Sequence, residues 1–274
     1  MFGFFLGLFD QATVNLSHHF LIMQLTFEQR MRAGRHLGHP TRKWHPKRAA
    51  YTYGVRKGLH LIDLVKTRHQ LQEARTFLAA QAAEGKTFLF VGTKNQAARA
   101  IEEAARRSRS FYVNERWLGG RLTNWRTVRS SLVRLHLLER QEQRGDLEKL
   151  SKKDAANLRQ LQERLARYVG GLKGRRRLPD VVIIVGQRQE LAAVAECRRL
   201  GIPMVSLLDT DCDPSLAQVG VPTNDDSAAA IELVLGEFAD AIREGRRLAR
   251  PGAGAANRTK GRARTGSGKK RTAA

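Results

Sequence analysis

Short apolar runs alternating with helical patterns predict an α/β protein, a parallel sheet covered on both faces and interrupted by an inserted pair of helices. Three observations carry this. TFLFV at 87–91 and VVIIV at 181–185 are continuous apolar runs of strand length, as expected of strands buried on both sides. Each leads through a turn into a helical pattern. Between them, residues 127–168 contain no proline and a single glycine, Gly145.

The remaining elements follow in order. Residues 30–62 carry nine Lys or Arg and no acid, broken by Gly34, Gly38, Pro40, Pro46, Gly54 and Gly58, and read as loops with short elements. Leu64, Leu71, Leu78 and Ala82 lie on one face of a helix running from Asp63 to Ala83, which Gly85 ends. Asn95 is placed to cap a helix over 96–108. Phe111–Val113 and Met204–Leu208 read as strands, and a shorter one lies near Val219–Val221. Glu190–Leu200 is a helix stopped by Gly201, and Asp226 is placed to cap a last helix over Ala228–Glu244. In the middle, Val128, Leu132, Leu135 and Leu138 mark one helix and Leu158, Leu161, Leu165 and Tyr168 a second. They predict an antiparallel coiled-coil hairpin turning near Gly145–Asp146.

The expected divisions are an apolar extension (1–24), a first part of the α/β domain with a basic entry segment (25–126), the coiled coil (127–169), a second part of the domain (170–247) and a basic disordered tail (248–274). The apolar run at the start is too short to span a bilayer and lacks the basic flank of a secretory signal. No membrane partner is expected. Cys197 and Cys212 are too few for a disulfide scaffold or a four-cysteine zinc site and read as small core residues.

Charge narrows the function. The formal net charge is +23 over 274 residues, which points to a polyanionic partner, nucleic acid first. Ten of the basic residues and no acid fall after residue 245, so the remainder still holds about +13 and the domain itself is basic. The tail is expected to add nonspecific affinity for nucleic acid, because each phosphate neutralised releases counterions.

Candidate chemistry is sparse. Gly85-Lys86-Thr87 precedes a strand, where a phosphate-binding loop must follow one. Gly92-Thr93-Lys94-Asn95 does follow a strand; its N–H groups and Lys94 suit an anion, and equally a plain tight turn. Asp209, Asp211 and Asp213 stand at alternate positions after a strand. They offer a divalent-cation or phosphotransfer reading, but Pro214 and Gly220 break the calcium-loop pattern, and a capping loop fits better. His36, His39 and His45 have spacings that zinc accepts, yet lie among arginines and lysines. No catalytic set is visible, and no cofactor or metal is expected. Around Trp117-Leu118-Gly119-Gly120-Arg121-Leu122-Thr123-Asn124-Trp125-Arg126, the tryptophans suit packing at the foot of the coiled coil, and Arg121 and Arg126 suit RNA. The full expected RNA-binding set is Arg30, Arg35, Arg42, Lys43, Lys47, Arg48, Lys94, Arg116, Arg121 and Arg126.

Several segments together resemble one family. They are Arg35-His36-Leu37-Gly38-His39 with Trp44-His45-Pro46-Lys47, then Gly58-Leu59-His60-Leu61-Ile62-Asp63-Leu64, Phe90-Val91-Gly92-Thr93-Lys94 and Tyr112-Val113-Asn114-Glu115-Arg116-Trp117-Leu118-Gly119-Gly120. Further along come Leu178-Pro179-Asp180, Leu200-Gly201-Ile202-Pro203, Asp209-Thr210-Asp211-Cys212-Asp213-Pro214 and Asn224-Asp225-Asp226. In order and spacing, over roughly 25–247, they resemble the second protein of the small ribosomal subunit, of bacterial and organellar type.

The resemblance implies a flavodoxin-like, five-stranded parallel sheet with the inserted coiled coil. It implies a structural, non-enzymatic role in the small subunit. The implied partners are small-subunit rRNA and neighbouring ribosomal proteins, including an S1-type mRNA-binding protein where one exists; homo-oligomerisation is not expected. Leu122-Thr123-Asn124-Trp125, Tyr168-Val169-Gly170-Gly171-Leu172-Lys173 and the ending Glu244-Gly245-Arg246 look plastid-like. The expected location is therefore a chloroplast ribosome, with bacterial cytoplasm or mitochondrion as alternatives. Gly186 departs from the pattern, since the family usually has Asp there.

Overall fold

The structure is a computed structural model that describes residues 34–249. The apolar start, Arg30 and the tail beyond 249 lie outside the described residues. Five parallel strands form the main sheet: β4 (Phe88–Val91), β5 (Phe111–Val113), β6 (Val181–Ile184), β7 (Met204–Leu208) and β8 (Val219–Pro222), in the order β5-β4-β6-β7-β8. The strand order reverses between β4 and β6, as in flavodoxin-like folds. Alternate residues of each strand enter opposite layers of core. Phe88, Phe90, Val181, Ile183, Val205 and Leu207 face one side, among residues such as Leu71, Leu78, Ile101 and Phe238. Leu89, Val91, Val182, Ile184 and Met204 face the other, with Trp117, Leu122, Leu172, Val194 and Cys197. Fully buried apolar runs at 88–91 and 181–184 are what a sheet covered on both faces requires.

The first layer is built by α1 (Leu64–Ala83), α2 (Asn95–Arg107) and α6 (Ala228–Leu248), and the second includes α5 (Leu191–Leu200). Helix α1 begins where Asp63 accepts hydrogen bonds from Val65 N and Lys66 N. Helices α1 and α6 cross closely: a Cβ on Gly245 would collide with the Ala79 carbonyl. Two expected caps are corrected. Asn95 is the first residue of α2, and Lys94, which makes no side-chain cap, precedes it. Ser227, not Asp226, caps α6 by accepting from Ala230 N. Asp226 is drawn away by the ammonium of Lys94, 2.7 Å off, because an ion pair outweighs a cap bond.

Between β5 and β6 the chain leaves the sheet as a helical hairpin, α3 (Trp125–Gln143) and α4 (Lys152–Val169). The turn contains Gly145 at φ +72°, a left-handed conformation that favours glycine. Leu135, Leu138, Leu147 and Ala155 are buried at the contact, and Glu142 and Glu139 of the first arm accept from Gln162 and Lys173.

The basic entry segment folds into a second sheet that short-element reasoning left unassembled. Strands β1 (Leu37–Pro40), β2 (Thr52–Arg56) and β3 (Leu59–Ile62) pair antiparallel in the order β1-β3-β2. This sheet sits against the carboxyl ends of β7 and β8. His39 N donates to Thr210 Oγ1, His45 N to Thr210 O, and Asn224 Nδ2 to Gly34 O.

Candidate nucleic-acid interface and the acidic cluster beside it

Open α/β sheets bind ligands at the carboxyl ends of their strands, at the point where strand order reverses. Here the chain fills that crevice with its own side chains. The turn after β4 aims the Thr93 N–H at an anion, and the anion is Glu190, whose carboxylate takes Thr93 N at 2.8 Å and Thr93 Oγ1 at 2.6 Å. Lys94 spans the crevice to Asp225 at 2.5 Å and Asp226 at 2.7 Å. Its stem passes over Gly186, whose φ is +75°, and a Cβ there would stand 3.1 Å from Lys94 Cε. The departure at Gly186 therefore leaves room for Lys94 and suits the left-handed turn into α5.

His39 completes the cluster. Its Nδ1 lies 3.2 Å from Asp209 and its Nε2 3.3 Å from Asp226. The hydrogen bond and charge of Asp209, against the cost of burial and with help from Asp211 and Asp226, push the imidazole pKa up to about 9. Burial and the charge of Asp209 raise Asp225 to about 6, against the pull of Lys94. Burial opposes the charge of Lys94, yet Asp225 and Asp226 hold its pKa above the ordinary value.

One ligand atom from each of His39, Asp209, Asp225 and Asp226 falls within a 4.8 Å group, a spacing a divalent cation could span. The ammonium of Lys94 already supplies positive charge there. The three aspartates weighed as a metal or phosphotransfer centre do not converge. Asp209 faces His39, Asp211 lies 3.3 Å from Arg188 and 3.9 Å from His39 Nε2, and Asp213 pairs with Lys47 at 2.8 Å while accepting from Ser215 N. Of the three candidate zinc histidines, only His39 joins this group.

The cluster sets a pH response. Unfolded, His39 titrates near its ordinary 6.5; folded, near 9. Its ion pairs contribute fully below pH 6.5, and that contribution is lost as the pH rises through 9. The melting temperature is expected to fall between pH 6.5 and 9.5, and His39→Gln to flatten that decline. Thermal unfolding across the range checks it; a slope equal in both proteins would refute it.

The ten arginines and lysines expected on RNA separate into groups. Arg42, Lys43, Lys47, Arg116 and Arg126 are exposed. Arg35, Arg48 and Arg121 are 0%, 1% and 2% exposed, their side chains packed within the fold. Arg35 reaches Thr223 and Arg48 donates to Leu208 O with Tyr51 beneath it; both are covered because the entry sheet folds over the strand ends. Lys94, expected on an RNA phosphate, here pairs with Asp225 and Asp226. Trp117 and Trp125 pack at the hairpin foot. Trp117 Nε1 donates to Glu196, and Arg175 lies over Trp125.

Sequence reasoning missed Glu196 and Arg175. Glu196, on α5, accepts from Trp117 Nε1, Gly120 N, Leu122 N, Thr123 N and Thr123 Oγ1. Nothing local marks it, because its partners lie 73–79 residues away. Both cysteines are buried, and burial pushes the Cys197 thiol up to about 12 and Cys212 also upward, so neither is a nucleophile at neutral pH.

The chain is a doubly wound scaffold whose ligand crevice is filled by its own ion pairs, with basic loops and an inserted helical hairpin. The family description "Ribosomal protein S2" matches residues 31–245. The chain is 50% identical over 222 residues to "Small ribosomal subunit protein uS2" of the cyanobacterium Trichormus variabilis, covering 81% of this chain and 84% of that one. It is 50% identical to "Small ribosomal subunit protein uS2c" of Oltmannsiellopsis viridis over 226 residues (82% and 95%) and of Chlorella vulgaris over 225 (82% and 84%). The chain belongs to the ribosomal protein S2 family, whose members are structural, non-enzymatic components of the ribosome.

Proposed function

We propose that the chain is a structural constituent of the small subunit of a chloroplast ribosome, holding small-subunit rRNA and neighbouring proteins in place. The observation that carries this is half identity to cyanobacterial and uS2c relatives over four-fifths of the chain. Arg42, Lys43, Lys47, Arg116 and Arg126 supply the exposed positive charge that phosphates require. Arg30 belongs to the same proposal. The hairpin, which leaves the sheet between β5 and β6, reaches rRNA or an adjacent protein. An S1-type mRNA-binding protein is among the proposed neighbours.

The test is sedimentation of a chloroplast lysate through a magnesium-containing sucrose gradient, with the chain followed by antibody. The expected result is stoichiometric migration with small subunits that survives a moderate salt wash. Migration only at the top of the gradient would refute the proposal.

A further inference from the structure

Two arginines at the foot of the hairpin are buried without an acid. Arg121, in the loop between β5 and α3, is 2% exposed, and Arg175, just beyond the hairpin's return, is 6% exposed. Each is anchored on one side. Arg121 Nη2 donates to Arg116 O at 2.9 Å, and Arg175 Nε to Arg177 O at 2.8 Å. Arg175 lies 4.2 Å from the ring centre of Trp125. On the other side, Nε and Nη1 of Arg121 and both terminal nitrogens of Arg175 have no hydrogen-bond partner.

The acids whose charge reaches Arg121, Glu190 and Glu196, are engaged by Thr93 and by the 117–123 loop. Burial lowers both guanidinium pKa values to about 10, with the charge of Arg121 adding to the effect on Arg175. Both therefore remain cationic at neutral pH. Buried N–H donors without partners are rare in folded proteins, and an unpaired buried charge is costly.

We propose that Arg121 and Arg175 together hold one backbone phosphate of RNA at the foot of the hairpin. Four unpartnered donor nitrogens and two charges match the unesterified oxygens of a single phosphodiester. Each guanidinium is held by a carbonyl, so little side-chain entropy remains to lose. Arg116, Arg126, Arg176 and Arg177 are exposed nearby in sequence and would follow the adjoining phosphates. That repeat of charge favours a polynucleotide over a free anion. The nitrogens are covered in the free chain. Phosphate access therefore requires that cover to shift; Gly119 and Gly174, close to the two arginines in sequence, have open space where a Cβ would stand. The inference rests on the reading that the chain lies against rRNA and names a contact within it.

The test uses the full chain and the variants Arg121→Met, Arg175→Met and their double, which keep apolar bulk over the tryptophans. In chloride buffer the double variant is expected to melt higher than the parent, because two unpaired buried charges are gone. Inorganic phosphate at matched ionic strength is expected to raise the parent's melting temperature by about 2–4 °C and the double variant's not at all. Binding to a transcript of Chlorella vulgaris chloroplast small-subunit rRNA is expected to lose about one in the slope of log K against log salt. An equal phosphate response in parent and double variant, or none in the parent, overturns the pair as an anion site. A phosphate response with an unchanged RNA slope overturns the RNA assignment. A parent that responds to phosphate but does not sediment with small subunits overturns the ribosomal reading and leaves the pair standing.

Discussion

Replacing Glu196 with glutamine is expected to lower the unfolding free energy by about 2–4 kcal/mol, read from the shift of the urea midpoint at constant slope. The Glu196 carboxylate accepts five hydrogen bonds, two on Oε1 and three on Oε2, at 2.8–3.1 Å. An amide offers one accepting oxygen and a donating NH₂. Whichever way it turns, N–H donors of the 117–123 loop would face another donor. Burial works against the charge of Glu196, but the backbone N–H groups of Thr123 and Leu122, with Trp117 and Gly120, hold its pKa below the usual carboxylate range. Its contribution is therefore present above the unfolded pKa and lost as the pH falls through the folded one. The loop also sets where α3 begins and where Arg116 and Arg126 stand, so small-subunit incorporation should fall with stability. A midpoint unchanged within error would refute this account of the loop.

Lys94→Met is expected to cost about 3–5 kcal/mol at pH 8, the penalty for leaving buried carboxylates without their counter-charge. Asp225 and Asp209 are 2% and 1% exposed, and Lys94 supplies the ammonium between Asp225 and Asp226. The pH dependence separates this from a simple packing loss. Asp225 already has a raised pKa, so the folded state holds its proton more tightly than the unfolded state does. Stability from that proton is present at low pH and falls as the pH rises through the folded value. Without Lys94 that value rises further. The deficit of the variant should therefore shrink on going from pH 8 to pH 5, and adding Asp225→Asn should recover part of it at pH 8. A deficit constant across that range would mean that Lys94 serves through its aliphatic stem alone.

Much of the architecture was legible because it is written in local pattern. The runs at 88–91 and 181–184 show no alternation because both faces of the sheet are covered, and strand length separates them from helix. Asp63 announced the start of α1, and Gly201, at φ +65°, the end of α5. The caps at Asn95 and Asp226 misled, since each residue type suits a cap while the true arrangement depends on Lys94 reaching across the crevice. Local sequence carries no information about an ion pair formed over 131 residues.

The candidate site was less legible for the same reason. Composition and motif established a basic chain of the S2 type with its charge spread through entry segment, loops and tail. Which cations reach solvent was decided only by tertiary packing. The entry sheet closes over the strand ends and buries Arg35 and Arg48, while Arg42, Lys43 and Lys47 in the same stretch stay outside. Charge is a property of a residue, and burial is a property of its neighbours. The sequence by itself determined the order of strands and helices, the inserted hairpin and the strongly basic character of the chain, because hydrophobic period and net charge are local sums. Only the tertiary structure decided that Glu196 organises the tryptophan loop, that Lys94 serves the acidic cluster, and that Arg121 and Arg175 share the hairpin foot. Each of those depends on residues distant in sequence being brought to one place in the fold.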